Sequence, residues 1–323
     1  MQKNLFIPAA HAAAEAGSGT VLNNGVGLPA MRSRSAGGSW RMVLAMALSG
    51  TIGLLVVESG LPVLVVVWLR CLLGGLGLAA WVVYSRQWQK PSRSETLWLA
   101  VGGLALVLNW LCLFSAYRYS SIAVATVVYH VQPFILLLLA ALLQAEALPV
   151  RKLPWLLLAL LGVALSSGLA EASEASSWMG IWLALGAATL YAVATLAAQR
   201  LQRLAPAQIA MLQMLIGVLA LAGPAWPLMA SAQFSAHAWV AVGVLGLVHT
   251  AWMYTLMYSA FQRLSAQAVA GLSFIYPVVA LLVDWLWFER RPQPLSALGM
   301  LLILGAVWAY RRQGAAAVRA RAR

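Results

Sequence analysis

Arg70 stands in the run WLRCLLGG, nine residues into an apolar block that extends from Pro62 to Tyr84. A guanidinium keeps its charge at every physiological pH, and inside hydrocarbon such a group is unfavourable unless it faces protein or water. Two roles fit that depth. Arg70 either braces helices by donating to backbone carbonyls or to Glu58, or it holds a carboxylate or other anionic group, whose oxygens match the guanidinium fork. A second polar set lies on two later blocks. Ala123, Thr126, His130 and Pro133 share one face of the fourth, and Gln267, Ala270, Phe274 and Pro277 take the same offsets in the ninth. Each proline removes a backbone hydrogen bond and opens or kinks its helix, which makes Pro133 and Pro277 gating candidates. His130 reads as a neutral hydrogen-bonding strut or as a proton relay, because imidazole changes charge near neutral pH, and His249 carries the same two readings. Asn109, Trp110, Tyr129, Trp252, Tyr254 and Phe274 cluster near the middle of blocks three, four, eight and nine, either as packing or as the wall of a small-molecule pocket. Gly74, Gly75 and Gly77 read as positions of close helix approach.

Several chemistries have no residues to run them. Gly-rich phosphate loops, CxxC pairs and HExxH are absent, so no ATP-driven pump, metal or cofactor is expected. The eight acidic residues are scattered, against the paired carboxylates that an enzyme acting on lipid would need. Cys71 and Cys112 both fall inside apolar blocks and are expected to be free.

The elements that position these residues follow from composition. The chain of 323 residues is 63% hydrophobic and 9% charged, with a mean hydropathy of +0.84, whereas a soluble domain carries roughly 25% charged residues. The apolar residues come in blocks of about 16 to 24, enough to cross a hydrocarbon core roughly 30 Å thick. The blocks run approximately 42–57, 62–84, 96–117, 123–144, 153–169, 179–198, 209–229, 238–261, 266–288 and 295–310. They predict an all-α integral membrane protein of ten transmembrane helices, flanked by a disordered tail over 1–40 and a basic tail over 312–323. Barrel strands are excluded because these blocks are apolar on every face. Seventeen of the 21 basic residues fall on one side of such a bundle, against Arg118, Arg290 and Arg291 on the other. That asymmetry predicts a multi-pass protein of the cell inner (plasma) membrane with both termini cytoplasmic. The net charge of +13 therefore reads as a topology signal, and no nucleic-acid partner is expected. The expected partners are membrane lipids and a small-molecule substrate. Helices five and ten, apolar all round, are open to lipid or to a second copy in a homodimer.

A shift of 144 residues aligns the chain with itself: Ser115, Ala116 and Tyr117 face Ser259, Ala260 and Phe261, and Pro133 faces Pro277. One gap later Glu146 matches Glu289, and Gly162 matches Gly305. Each half, 42–170 and 179–311, holds five helices. An odd number makes the second half enter the membrane with opposite polarity, so the repeat is inverted. Secondary transporters use that architecture to alternate access around a central site.

The stretches SAYRYSSIAVATVVYHVQPFILLLLAALLQAEAL with LLGVAL, and SAFQRLSAQAVAGLSFIYPVVALLVDWLWFER with ILGAVW, carry a resemblance to the drug/metabolite transporter superfamily. The chain is similar to its ten-helix EamA-type exporters, built from two EamA repeats. Arg70 matches that family's arginine in the second helix, whereas Ser49 and Gly50 stand where the family often has Trp-Gly. The resemblance implies secondary transport, with export of a metabolite such as an amino acid by alternating access. It also implies that the glutamates past the helix ends are landmarks of the repeat.

Overall fold

A computed structural model of the chain describes residues 27–120, 122–144, 146–166, 178–287 and 293–321. All the secondary structure within them is helical. The elements are α1 (Gly27–Gly50), α2 (Ile52–Ser59), α3 (Val63–Tyr84), α4 (Arg93–Tyr119), α5 (Ile122–Tyr129), α6 (Gln132–Gln144) and α7 (Leu153–Ser166). After residues 167–177 come α8 (Trp178–Arg200), α9 (Pro206–Ser231), α10 (Ala236–Gly246), a π-helical turn (Leu247–Trp252) and α11 (Met253–Phe261). The described chain ends with α12 (Ala266–Ser273), α13 (Ile275–Trp287) and α14 (Pro294–Arg321).

Nine helical segments among the described residues are long and apolar enough to cross a membrane. The fifth expected crossing is described as α7, a helix of 14 residues, and residues 167–177 beyond it lie outside the described residues. Both expected tails are partly helical. Residues 1–26 are outside the described set, but 27–40 belong to α1, where Gly38 passes so close to Leu264 that a Cβ would lie 3.0 Å from its side chain. At the other end α14 continues through Ala- and Arg-rich sequence, both strong helix formers, to Arg321.

The packing shows the repeat. α4 lies along α8 in the way that α11 lies along α1, and α8 against α5 and α6 is matched by α1 against α12 and α13. The partners α3 and α9 pack on each other, and so do α7 and α14. Close approach is set by small side chains. Ala184, Ala187, Ala188, Ala192 and Ala194 are all buried along α8. At α7 and α14 a Cβ on Gly162 would stand 2.7 Å from the Gly299 carbonyl oxygen, and one on Gly299 2.5 Å from that of Gly162. Van der Waals packing between close backbones is the force that holds helices together where lipid is as apolar as leucine.

Candidate functional site

The fourth and ninth predicted helices are each broken, and at repeat-equivalent residues. α5 ends at Tyr129 and α6 begins at Gln132, and α12 ends at Ser273 with α13 starting at Ile275. The cause is local. Pro133 lacks an N–H for the Tyr129 carbonyl, and Pro277 lacks one for Ser273, while each ring also crowds that carbonyl. Tightened bonds such as Val131 N–H to the Val128 oxygen (3.1 Å) carry the chain across the first break. The first break leaves His130 and Val131 and the second leaves Phe274; His130 and Phe274 are both buried.

Those two residues are 144 positions apart, and their ring centroids are 6.2 Å from each other. A second pair with the same spacing, Trp110 and Tyr254, meets edge to face at 6.3 Å. Residues that are repeat partners and also neighbours must straddle the pseudo-two-fold axis, so these contacts mark its path. Further rings extend from the axis: Tyr254 to Tyr258 at 5.6 Å, Tyr129 to Tyr191 at 6.2 Å, and Tyr276 stacked on His130 at 5.5 Å. Polar atoms tie the rings in place. Asn109 donates to the Ala187 carbonyl at 2.8 Å and to the Tyr129 hydroxyl at 3.4 Å. The Tyr258 hydroxyl donates to the Gln213 side chain, and Tyr191 to the Met257 sulfur at 3.3 Å. His130 Nδ1 donates to the Thr126 carbonyl at 2.7 Å.

Arg70 joins this group from α3. It is 3% exposed, its Cζ lies 5.4 Å from the Trp110 ring centroid, and its Nε donates to Thr250 Oγ1 at 3.3 Å. Its Nη2 is buried with no hydrogen-bond partner. The π-helical turn sets Thr250, whose hydroxyl donates to the Leu245 carbonyl at 2.8 Å. Gly74 admits the turn, since a Cβ there would lie 2.5 Å from the Thr250 methyl. Such π insertions recur at functional positions. The brace to Glu58 does not form: Glu58 accepts from Trp287 Nε1 at 3.2 Å and bonds His237 at 3.1 Å. His249 is bonded to Thr51 Oγ1 at 2.8 Å, joining the π turn to the break between α1 and α2.

Thus Arg70, Asn109, Trp110, Tyr129, His130, Tyr254 and Phe274 come together, and three expected residues differ. Gln267 lies away from the rings at one end of the bundle, where it donates to the Ala147 carbonyl at 2.8 Å and accepts from Lys152 at 3.3 Å. It is only the second residue of α12, too near the helix start to reach the break. Trp252 is half exposed and shares none of the ring contacts of this group. Two residues is about 200° of helix, so Thr250 and Tyr254 turn inward and Trp252 turns out. Thr126 contributes its carbonyl to His130. Sequence reading missed Thr250, Tyr258, Gln213, Tyr191 and Tyr276. Thr250, Tyr254 and Tyr258 recur every four residues on one helix face, and Gln213 is a buried amide in an apolar helix. Both were signals.

At one end of the bundle the halves are laced together: Arg203 pairs with Glu95 and donates to the Lys90 carbonyl, and Gln208 bonds both the N–H and the carbonyl of Gln89. Glu95 also closes a capping box with Ser92 at the start of α4, and its hydrogen bond raises the pKa of the Arg203 guanidinium. Arg200 donates to the Leu143 carbonyl, and Glu146 accepts from the Ala266 N–H at 3.3 Å. The other end shows Glu58 with His237 and Trp287. Glu289, the repeat partner of Glu146, lies outside the described residues.

A solved crystal structure superposes with a TM-score of 0.75, covering 85% of this chain and 97% of that chain at 21% identity, which is a likeness of fold. An uncharacterized transporter of Bacillus subtilis (strain 168), YxxF, is 32% identical over 287 residues, covering 87% of this chain and 92% of its own length. The EamA-like transporter family matches residues 39–168 and 178–311. With both repeats matched, the chain belongs to the EamA-like transporter family, within the drug/metabolite transporter superfamily.

Proposed function

We propose that this chain is a secondary transporter that exports a small metabolite, such as an amino acid, by alternating access at a mid-membrane site. The observation that carries the reading is the meeting of His130 and Phe274. Each sits at a proline-made break, each is the repeat partner of the other, and breaks of this kind free backbone groups for a substrate at the repeat interface. Rocking one half against the other about that axis exposes the same rings to each side in turn. The lacing of the two halves at the Arg203 end fits a state closed toward that end. By the distribution of basic residues the Arg203 end is cytoplasmic in the cell inner membrane, with both termini on that side. The expected partners are the solute and membrane lipid, and His130 is the candidate for proton coupling.

The test is a panel of toxic amino acids and analogues applied to cells with and without the gene, followed by counterflow of any active compound in proteoliposomes. Expression should raise tolerance to at least one compound, with saturable counterflow. Unchanged tolerance across the panel, together with counterflow equal to empty liposomes, contradicts transport.

A further inference from the structure

Arg70 is a permanent cation for which the described residues provide no counter-ion. Its Nε meets the neutral Thr250 hydroxyl at 3.3 Å, its face meets Trp110, and its buried Nη2 has no hydrogen-bond partner. The carboxylates whose bonds are described are engaged elsewhere: Glu58 with His237 and Trp287, Glu95 with Arg203, Glu146 with the start of α12. A buried charge without a partner is strongly unfavourable in a low-dielectric interior, and an unmet donor adds its own desolvation penalty. An anion on Nη2 removes both penalties at once.

The geometry points to an organic monocarboxylate as the solute, its carboxylate on Arg70 and its flat or apolar body against Trp110 and Tyr254. This rests on the transport reading and names the substrate class of the same site. One charge and an aromatic wall set the class. Apart from Arg70, the Lys and Arg side chains that are described sit at or near span ends, so a single positive charge serves the site. A phosphate ester carries about −1.5 to −2 at neutral pH and would remain half-neutralised there. A carboxylate carries one charge and fits the guanidinium fork. Trp110 and Tyr254, meeting edge to face at 6.3 Å, offer ring surfaces directly beside that charge.

The experiment uses the full chain in nanodiscs, with thermal unfolding measured against increasing phenylacetate, phenylacetamide and phenyl phosphate. Phenylacetate should raise the unfolding temperature at a concentration at least tenfold lower than either of the others. The tenfold follows from the loss of a charged hydrogen bond. Arg70→Gln should abolish that advantage, and Arg70→Lys should retain part of it. Equal response to phenylacetate and phenylacetamide, a stronger response to phenyl phosphate, no response to phenylacetate, or an advantage that survives Arg70→Gln each overturns the assignment. The wild-type comparison decides the matter even where the variants do not fold. Counterflow separates the two readings. Binding of phenylacetate without saturable flux of any compound overturns transport alone, and saturable flux without carboxylate preference overturns only the substrate class.

Discussion

Superposed by the shift of 144 residues, the two halves place Trp110 on Tyr254 and His130 on Phe274, but Arg70 on Met214 and Thr250 on Leu106. The aromatic frame is duplicated and the charge is single. Both halves supply a proline-broken helix and a ring at the break, and the ring pairs touch across the axis at 6.2 and 6.3 Å. Only the first half supplies the guanidinium, and only the second supplies the hydroxyl it meets. Under the proposed alternating access, duplicated mechanics would let the bundle present one site to two sides. Under the proposed carboxylate assignment, the unduplicated charge would fix which way round a solute lies, because a single charge off the axis orients it.

The sharpest way to break the symmetric part is at the glycines. Gly162 and Gly305 are repeat partners, yet a Cβ at Gly162 would meet Gly299 and Ile303, while one at Gly305 meets nothing within 4 Å. Gly162→Leu should leave little folded protein, measured as the monodisperse fraction in detergent, since overpacking typically costs about 1–3 kcal/mol even where backbones are not in contact. Gly305→Leu should behave as wild type. The prolines come next. Pro133→Ala and Pro277→Ala each restore a backbone hydrogen bond worth about 0.5–1.5 kcal/mol to the straight helix. Each should slow saturable flux by about two- to tenfold with folded yield intact. An effect from one proline alone would break the symmetry of the two gates. Smallest in stability is Arg203→Gln, which removes the exposed pair with Glu95. The unfolding temperature should stay at the wild-type value, and thiol labelling of a cysteine at position 274 from the Arg203 end should rise, because exposed ion pairs add little to stability while here they hold two halves together.

Much of the frame was legible because lipid simplifies the code. Apolar blocks, the placement of basic residues and two prolines at equal offsets mark the helices, and the breaks fall one turn before Pro133 and Pro277 as the chemistry of proline requires. The path of the axis was less legible: the 144-residue shift also pairs Trp110 with Tyr254, but only contact shows that these partners touch. Gln267 and Trp252 were misplaced for different reasons. Gln267 has the right face but the wrong depth, and Trp252 has the right depth but the wrong face. Thr250 falls in step with Tyr254 and Tyr258 in the sequence, but the π-helical turn in which it stands adds a residue to the helical repeat that no period of 3.6 foretells. Gln213 and Tyr258 form a buried hydrogen bond between separate helices, a pairing that spacing within either helix does not encode.

The central claim is that the breaks at His130 and Phe274 form one axial site reached from both sides of the membrane in turn. Its most direct test places single cysteines at positions 130 and 274 in a background lacking Cys71 and Cys112, and labels right-side-out and inside-out vesicles with an impermeant thiol reagent. Alternating access predicts that each cysteine reacts in both vesicle preparations, and that each preparation labels both positions. Labelling confined to one preparation, or absent from both, contradicts the account.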